Sequence, residues 1–297
     1  MNILVIATGY IGDILFSSSL AKKLKQLYYG SMVYYSIPLI QPLLLLKQNP
    51  HIDGVIIGQP DNIKIYDKIF IMPEVRQDVP ATICFQMSAN IPEEYQSVEY
   101  QIYTIPKYDR EAEYMIESLR KEYSYKRIVG YQVDFAWKAY QSTKDTLIAG
   151  IGAPHRNQEM IIDKLKEHFT LVPIGFDRSV PQQDSRASNA ESYAKAASII
   201  KYCDVFFGAE GGLTNLSAGV GTKTIILTDF IAQQYWKNGR IRKYGVPKMG
   251  PATYFPSRHH SHIHPCISDN EIPDKLIDLI NNNRHEVFNW DISLDNL

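Results

Sequence analysis

The sequence is poor in cysteine: three in 297 residues, Cys84, Cys203 and Cys266, odd in number and set far apart. That argues against a disulfide framework and suits a reducing compartment. A long hydrophobic run is also missing. The longest, Ile37 to Leu46, is broken by Pro38, Gln41 and Pro42 and is too short to span a bilayer. Neither sign of charge dominates, with 31 Lys+Arg against 32 Asp+Glu, so nothing global draws the chain to nucleic acid or a membrane surface. The chain opens directly on a strand, without a secretory apolar region or cleavage site, which points to the cytoplasm. No segment repeats at a fixed period, none is of low complexity, and no Gly-x-Gly-x-x-Gly fingerprint of dinucleotide binding occurs.

What is present is a folded globular composition, 45% hydrophobic and 21% charged, in a length that suits two domains. The stretch that organises the chain is Cys203 to Asp229, CDVFFGAEGGLTNLSAGVGTKTIILTD. It reads as a buried strand (204–207), a glycine-bearing turn, a short helix (213–218) and a second strand (224–227). Gly211 and Gly212 allow close backbone approach to a ligand, and a helix starting at Leu213 aims N–H groups at an anion, above all a phosphate. The same pattern also serves merely to join a strand to a helix.

The first half repeats this logic. Asn2 to Ala7 is a continuous apolar strand, and Ile14 to Tyr28 has apolar residues at helical spacing. Between them runs the turn Thr8-Gly9-Tyr10-Ile11-Gly12-Asp13, making an opening βα unit of a doubly wound sheet. Met32–Ser36 and Val55–Ile57 read as strands around a helix at 39–47, and Lys68–Met72 and Ala81–Phe85 continue the alternation. Asp109 to Lys121 is an amphipathic helix. Arg127–Val133 is a candidate strand, and a linker around 136–144 places a domain boundary near residue 140. Beyond it, strands at 146–151 and 169–174 and helices at 159–168 and 191–202 rebuild the alternation.

Three motifs resemble glycosyltransferase family 9, the heptosyltransferase-like enzymes of lipopolysaccharide assembly. Ile11-Gly12-Asp13 matches the family's Leu-Gly-Asp loop, and Asn49-Pro50-His51-Ile52-Asp53 its Asn-Pro-[His/Tyr]-[Ile/Val]-Asp motif. In the organising stretch, Gly208, Gly212, Leu216, Ala218, Gly221 and Thr224 fall in step with the family signature. There Glu210 stands for the usual Asp, Asn215 for His and Lys223 for Pro. The resemblance implies a GT-B fold: two Rossmann-like, doubly wound parallel-sheet α/β domains, residues 1–140 and 141–297, facing across a cleft, with the last helix and tail returning to the first domain.

It also implies a metal-independent, inverting transfer of a heptose or related sugar from a nucleotide-sugar donor to a saccharide or lipid-linked acceptor. No cofactor and no nucleic acid partner are expected, and membrane association would be peripheral at most. Asp13 is the expected general base, although an Asp there is also a favoured helix cap. Gly9, Tyr10 and Gly12 form the loop on the acceptor side. Arg156 is the cation nearest to where the family places a phosphate-binding Lys, and an exposed Arg is its alternative. Asp177 is expected at the nucleotide ribose, and Glu210, Gly211, Gly212 and Leu213 at the donor. The basic run Lys237–Lys248 suits an anionic acceptor or a plain solvated loop. His259, His260, His262 and His264 lack the spacing of a structural zinc site, and no Asp-x-Asp clamp occurs, so no metal site is expected. A sugar-nucleotide epimerase or hydrolase on the same fold, or a non-catalytic nucleotide binder, are the alternatives.

Overall fold

Short apolar, β-rich runs alternate with helical spacing along the chain, and in the computed structural model they form two all-parallel sheets. The structure describes residues 1–9, 11–73, 80–124, 126–133, 157–175, 185–209, 211–227, 259–263, 267–282, 284 and 286, without the side chains of 185–189. The first sheet holds β1 (Asn2–Ile6), β2 (Met32–Ile37), β3 (Gly54–Ile57) and β4 (Lys68–Ile71) in the order β3-β2-β1-β4. Its helices are α1 (Ile11–Ser17), α2 (Ser19–Leu27), α3 (Leu43–Gln48) and α4 (Ala81–Ser88).

The helix expected as one piece after β1 is two. The hydroxyls of Ser17 and Ser18 donate to the carbonyls of Ile14 (2.8 Å) and Leu15 (2.6 Å), three residues back. Such local bonds compete with the helical ladder and break it at this point.

After α5 (Pro106–Glu122) the chain enters a second sheet. It comprises β5 (Ile128–Gln132), β6 (Thr170–Ile174), β7 (Val205–Ala209), β8 (Lys223–Leu227) and β9 (His260–Ile263), in the order β6-β5-β7-β8-β9. Its helices are α6 (Gln158–Lys166), α7 (Ser185–Tyr202), α8 (Gly212–Gly219) and α9 (Ile272–Asn281).

Strand β5, read from sequence as lying before a boundary at 140, is thus a central strand of the second sheet. Asp204 explains the pairing. Its carboxylate accepts from the Ile128 N–H at 2.7 Å and from Arg120 at 2.9 Å, tying the end of α5 and the start of β5 to the start of β7. The sheets therefore divide before residue 128, while residue 140 itself lies outside the described residues.

Helix α9 also departs from expectation. Ile272, Leu276, Leu279 and Ile280 are buried in the core of the second sheet with Ile161 and Leu165 of α6, and Lys223 donates to the Leu279 carbonyl at 2.6 Å. The helix caps the second sheet and does not return to the first; residues 287–297 lie outside the description.

A single apolar cluster joins the two sheets. It runs from Ile14 and Leu15 through Tyr100, Ile102 and Ile116 to Tyr193, Ala197, Leu213 and Leu216. Burial on this scale, at about 25 cal/mol per Å² of apolar surface, holds α5 against α7 and α1 against α8.

Candidate active site

Ligands of doubly wound sheets bind beyond the carboxyl ends of the strands, where successive connections leave in opposite directions. In the first sheet that point lies between β1 and β4. The Thr8 hydroxyl bridges it, donating to the Met72 carbonyl at 2.9 Å. Gly9 then turns the chain at φ +88°, a left-handed conformation that favours glycine. Helix α1 begins at Ile11, not Ile14, so Asp13 sits within its first turn and is not the residue before it. A carboxylate there is favoured by the helix dipole. It folds back over the turn: a Cβ added at Gly9 would lie 2.5 Å from Asp13 Oδ2. Glycine at 9 is therefore the space that Asp13 occupies.

In the second sheet the corresponding point lies between β5 and β7. Gln132, the last residue of β5, lays its side chain over Gly208, where a Cβ would be 2.7 Å from Gln132 Oε1. That oxygen is buried and has no hydrogen-bond partner among the described residues. Gly211 is extended and leads into α8. Its N–H is not offered to the crevice, because it donates to the Thr214 hydroxyl at 3.1 Å, which in turn donates to the Gly211 carbonyl at 2.8 Å. Two buried phenols hold the helix from behind. Tyr193 donates to the Gly212 carbonyl at 2.8 Å and Tyr100 to the Asn215 carbonyl at 2.5 Å. Burial raises both phenols above the usual tyrosine range, so both remain neutral donors at ordinary pH.

The two glycine turns meet. A Cβ at Gly12 would lie 2.6 Å from Asn215 Nδ2, and one at Gly212 would lie 3.2 Å from Tyr193 Oη and 3.4 Å from Ile11 Cγ2. Gly12 and Gly212 are thus small because α1 and α8 touch at their amino ends, a reason that the sequence alone does not display. Asn215, 4% exposed, carries an Oδ1 without a partner among the described residues. The structure sets the start of α1, which carries Gly12 and Asp13 after the Gly9 turn, beside the start of α8, which carries Gly212 and Leu213 after Gly211. Tyr10, Arg156, Asp177 and Glu210 lie outside the described residues, as does Lys237–Lys248. Sequence reasoning missed Thr214, Tyr193, Tyr100 and Gln132. A buried tyrosine or an orphaned amide has no local signature; only the packing exposes it.

Among the described residues, no three His, Cys, Asp or Glu side chains converge as a metal site. His260 and His262 share one face of β9, both buried, with ring centroids 6.2 Å apart. No described helix is long and apolar enough to cross a membrane.

The fold is that of the GT-B glycosyltransferases. The chain is similar to the glycosyl transferase family 9 protein of Veillonella parvula DSM 2008, with a TM-score of 0.62 and 11% identity, over 95% of this chain and 97% of that one. It is also similar to the ADP-heptose LPS heptosyltransferase II of E. coli (TM-score 0.54, 12% identity, 95% and 99% covered). A third likeness is to the E. coli heptosyltransferase WaaC with ADP-2-deoxy-2-fluoro heptose (TM-score 0.51, 11% identity, 96% and 100% covered). No family model and no curated protein matches the sequence. At these identities the likeness establishes the architecture.

Proposed function

We propose that the protein is an inverting glycosyltransferase that moves a heptose or related sugar from a nucleotide-sugar to a saccharide hydroxyl. The reading is supported by Asp13 standing in the first turn of α1, after the strand at the switch point of the first sheet, and by the packing of the start of α1 against the start of α8. Asp13 takes the proton from the acceptor hydroxyl as that oxygen attacks the anomeric carbon from the face opposite the diphosphate. The bond from the anomeric carbon to the diphosphate oxygen breaks, and the nucleoside diphosphate leaves with the negative charge. The Gly212 and Leu213 end of α8, with its positive dipole, supports the leaving group. Arg156, Asp177 and Glu210 are proposed donor contacts, and Gly9, Tyr10 and Gly12 line the acceptor side.

The heptosyltransferase neighbours, one of them carrying an ADP-heptose analogue, support an ADP-linked donor. A lipopolysaccharide-type acceptor, a cytoplasmic location at the inner face of a membrane, and transfer without a metal or cofactor belong to the same proposal. The test is Asp13→Asn, which keeps the shape and removes the proton acceptor. Nucleoside diphosphate affinity and melting temperature should hold while transfer falls by roughly 10²- to 10⁴-fold. A variant with wild-type turnover would overturn the assignment. A wild-type protein that binds nucleoside diphosphates but transfers nothing to a broad acceptor panel would be a binder on this fold.

A further inference from the structure

We infer that the protein has a second ligand site, distinct from the crevice above, built to take an anionic saccharide such as a sugar phosphate. It is an open groove of about 670 Å³ at the far ends of α1 and α8. The volume falls in the small-molecule range of roughly 300–1,000 Å³. The crevice holds the first turns of these two helices, whereas the groove is lined by residues that follow their last turns, among them Ser18 and Gly221. At 1.5 Å per residue, the length of α1 separates them by about 10 Å. The segment 97–106 forms one wall and is fixed to α8 where the Ile102 N–H donates to the Gly219 carbonyl at 2.7 Å.

The lining chemistry argues for the ligand class. Hydroxyls and amides recur along it, including Ser19, Gln48, Asn49 and Gln101, with the Tyr103 ring beside them. A sugar would find donors and acceptors there, with the apolar surface of Ile102, Pro106 and Val220 beside them. Three ammonium groups (Lys22, Lys23, Lys201) face the groove against two carboxylates, Glu99 and Asp109. Asp109 is already committed, accepting from Lys201 at 2.6 Å and from Thr104 and Ser198 at 2.7 Å each. At the other end, Lys22 has no hydrogen bond or ion pair among the described residues, and Lys23 donates only to the Tyr95 carbonyl. His51 sits with them, and burial together with Lys22 and Lys25 holds its imidazole below the usual range. With three ammonium groups against two carboxylates, one of them held by Lys201, the lining keeps a net positive charge, which favours a phosphate or carboxylate beside Lys22 and Lys23. The walls come from α2 and α3 on one side and α7 and α8 on the other, so an occupant would clamp elements of both sheets.

Titration calorimetry of the full chain with glucose 1-phosphate, inorganic phosphate and glucose tests this inference. Glucose 1-phosphate should bind saturably, inorganic phosphate about tenfold more weakly, and glucose without detectable heat. Lys22→Glu and His51→Gln should each weaken glucose 1-phosphate by about tenfold or more while affinity for a nucleoside diphosphate stays within about twofold. Lys64→Glu, the same charge change on a residue outside the groove, should leave both unchanged. The inference is overturned if glucose 1-phosphate shows no saturable binding, or if inorganic phosphate binds as tightly. It is equally overturned if both groove variants bind glucose 1-phosphate like wild type, or if Lys64→Glu weakens it as much as they do. None of these outcomes depends on transfer activity, so a failure here leaves the reading of Asp13 standing, and the reverse.

Discussion

Gly9→Ala separates the position of Asp13 from the backbone demand of the turn that carries it. The residue has φ +88°, where an alanine costs roughly 1–2 kcal/mol. Three other described glycines, Gly30, Gly58 and Gly221, share that demand with no atom within 4 Å of an added Cβ; Gly30 at φ +73° and Gly58 at φ +80° serve as the controls. At Gly9, by contrast, the Cβ would stand 2.5 Å from Asp13 Oδ2, and the carboxylate must retreat by about 0.9 Å to reach ordinary contact at 3.4 Å. All three alanine variants should therefore lose comparable stability, each kcal/mol lowering the melting temperature by roughly 2–4 °C in a chain of this size. Only Gly9→Ala should lose turnover, by roughly 10²-fold, the order expected when a reacting group is misplaced by about 1 Å. The assay is release of nucleoside diphosphate from a nucleotide-sugar in the presence of acceptor, paired with thermal melting of each variant. If Gly9→Ala turns over as fast as Gly30→Ala and Gly58→Ala, the Asp13 carboxylate does not act from its place over this turn.

Other consequences follow from the same contacts. Gly12→Ala should impair folding or activity because its Cβ meets Asn215 Nδ2 at 2.6 Å, and Asn215→Ala in the same chain should restore much of the loss; an additive double variant would refute the contact. Tyr193→Phe removes the bond to the Gly212 carbonyl and should cost about 1 kcal/mol in melting experiments, with weaker nucleoside diphosphate binding as the start of α8 loosens. Transfer should survive EDTA; activity lost with the chelator and regained with Mg²⁺ or Mn²⁺ would refute metal independence. Burial would raise the Asp109 carboxyl, but hydrogen bonds from Lys201, Ser198 and Thr104 outweigh it and hold the group below its usual range. The link between α5 and α7 should therefore be present above that range and be lost as pH falls through the depressed value. The stability gap between wild type and Asp109→Asn, followed by melting across an acid series, should shrink in that window; a gap independent of pH would refute the account.

Most strands and helices were legible in the sequence because buried parallel strands need continuous apolar runs and helices need their own spacing, both local properties; β9, in a histidine-rich run, was not read as a strand, and the strand expected at 146–151 lies outside the described residues. The glycine turns at Gly9–Gly12 and Gly211–Gly212 were legible too, since few other residues tolerate such geometry or closeness. Local pattern could not decide which sheet a strand joins. Ile128–Gln132 belongs beside β7 because Asp204, 76 residues further along, binds its first N–H. Nor could it decide that Ser17 and Ser18 split one amphipathic run into two helices. The roles of the glycines likewise came from packing. Gly9 is empty because Asp13 fills its space, and Gly12 and Gly212 are small because α1 and α8 meet there. Thr214, Tyr193 and Tyr100 act on α8 through hydroxyls whose partners are fixed only by the fold. The sequence by itself determined which segments become strand, turn and helix, because those choices rest on neighbours a few residues away. The tertiary structure alone decided which turns face each other, because that depends on packing energies summed over residues far apart in the chain, such as Gly12 and Asn215.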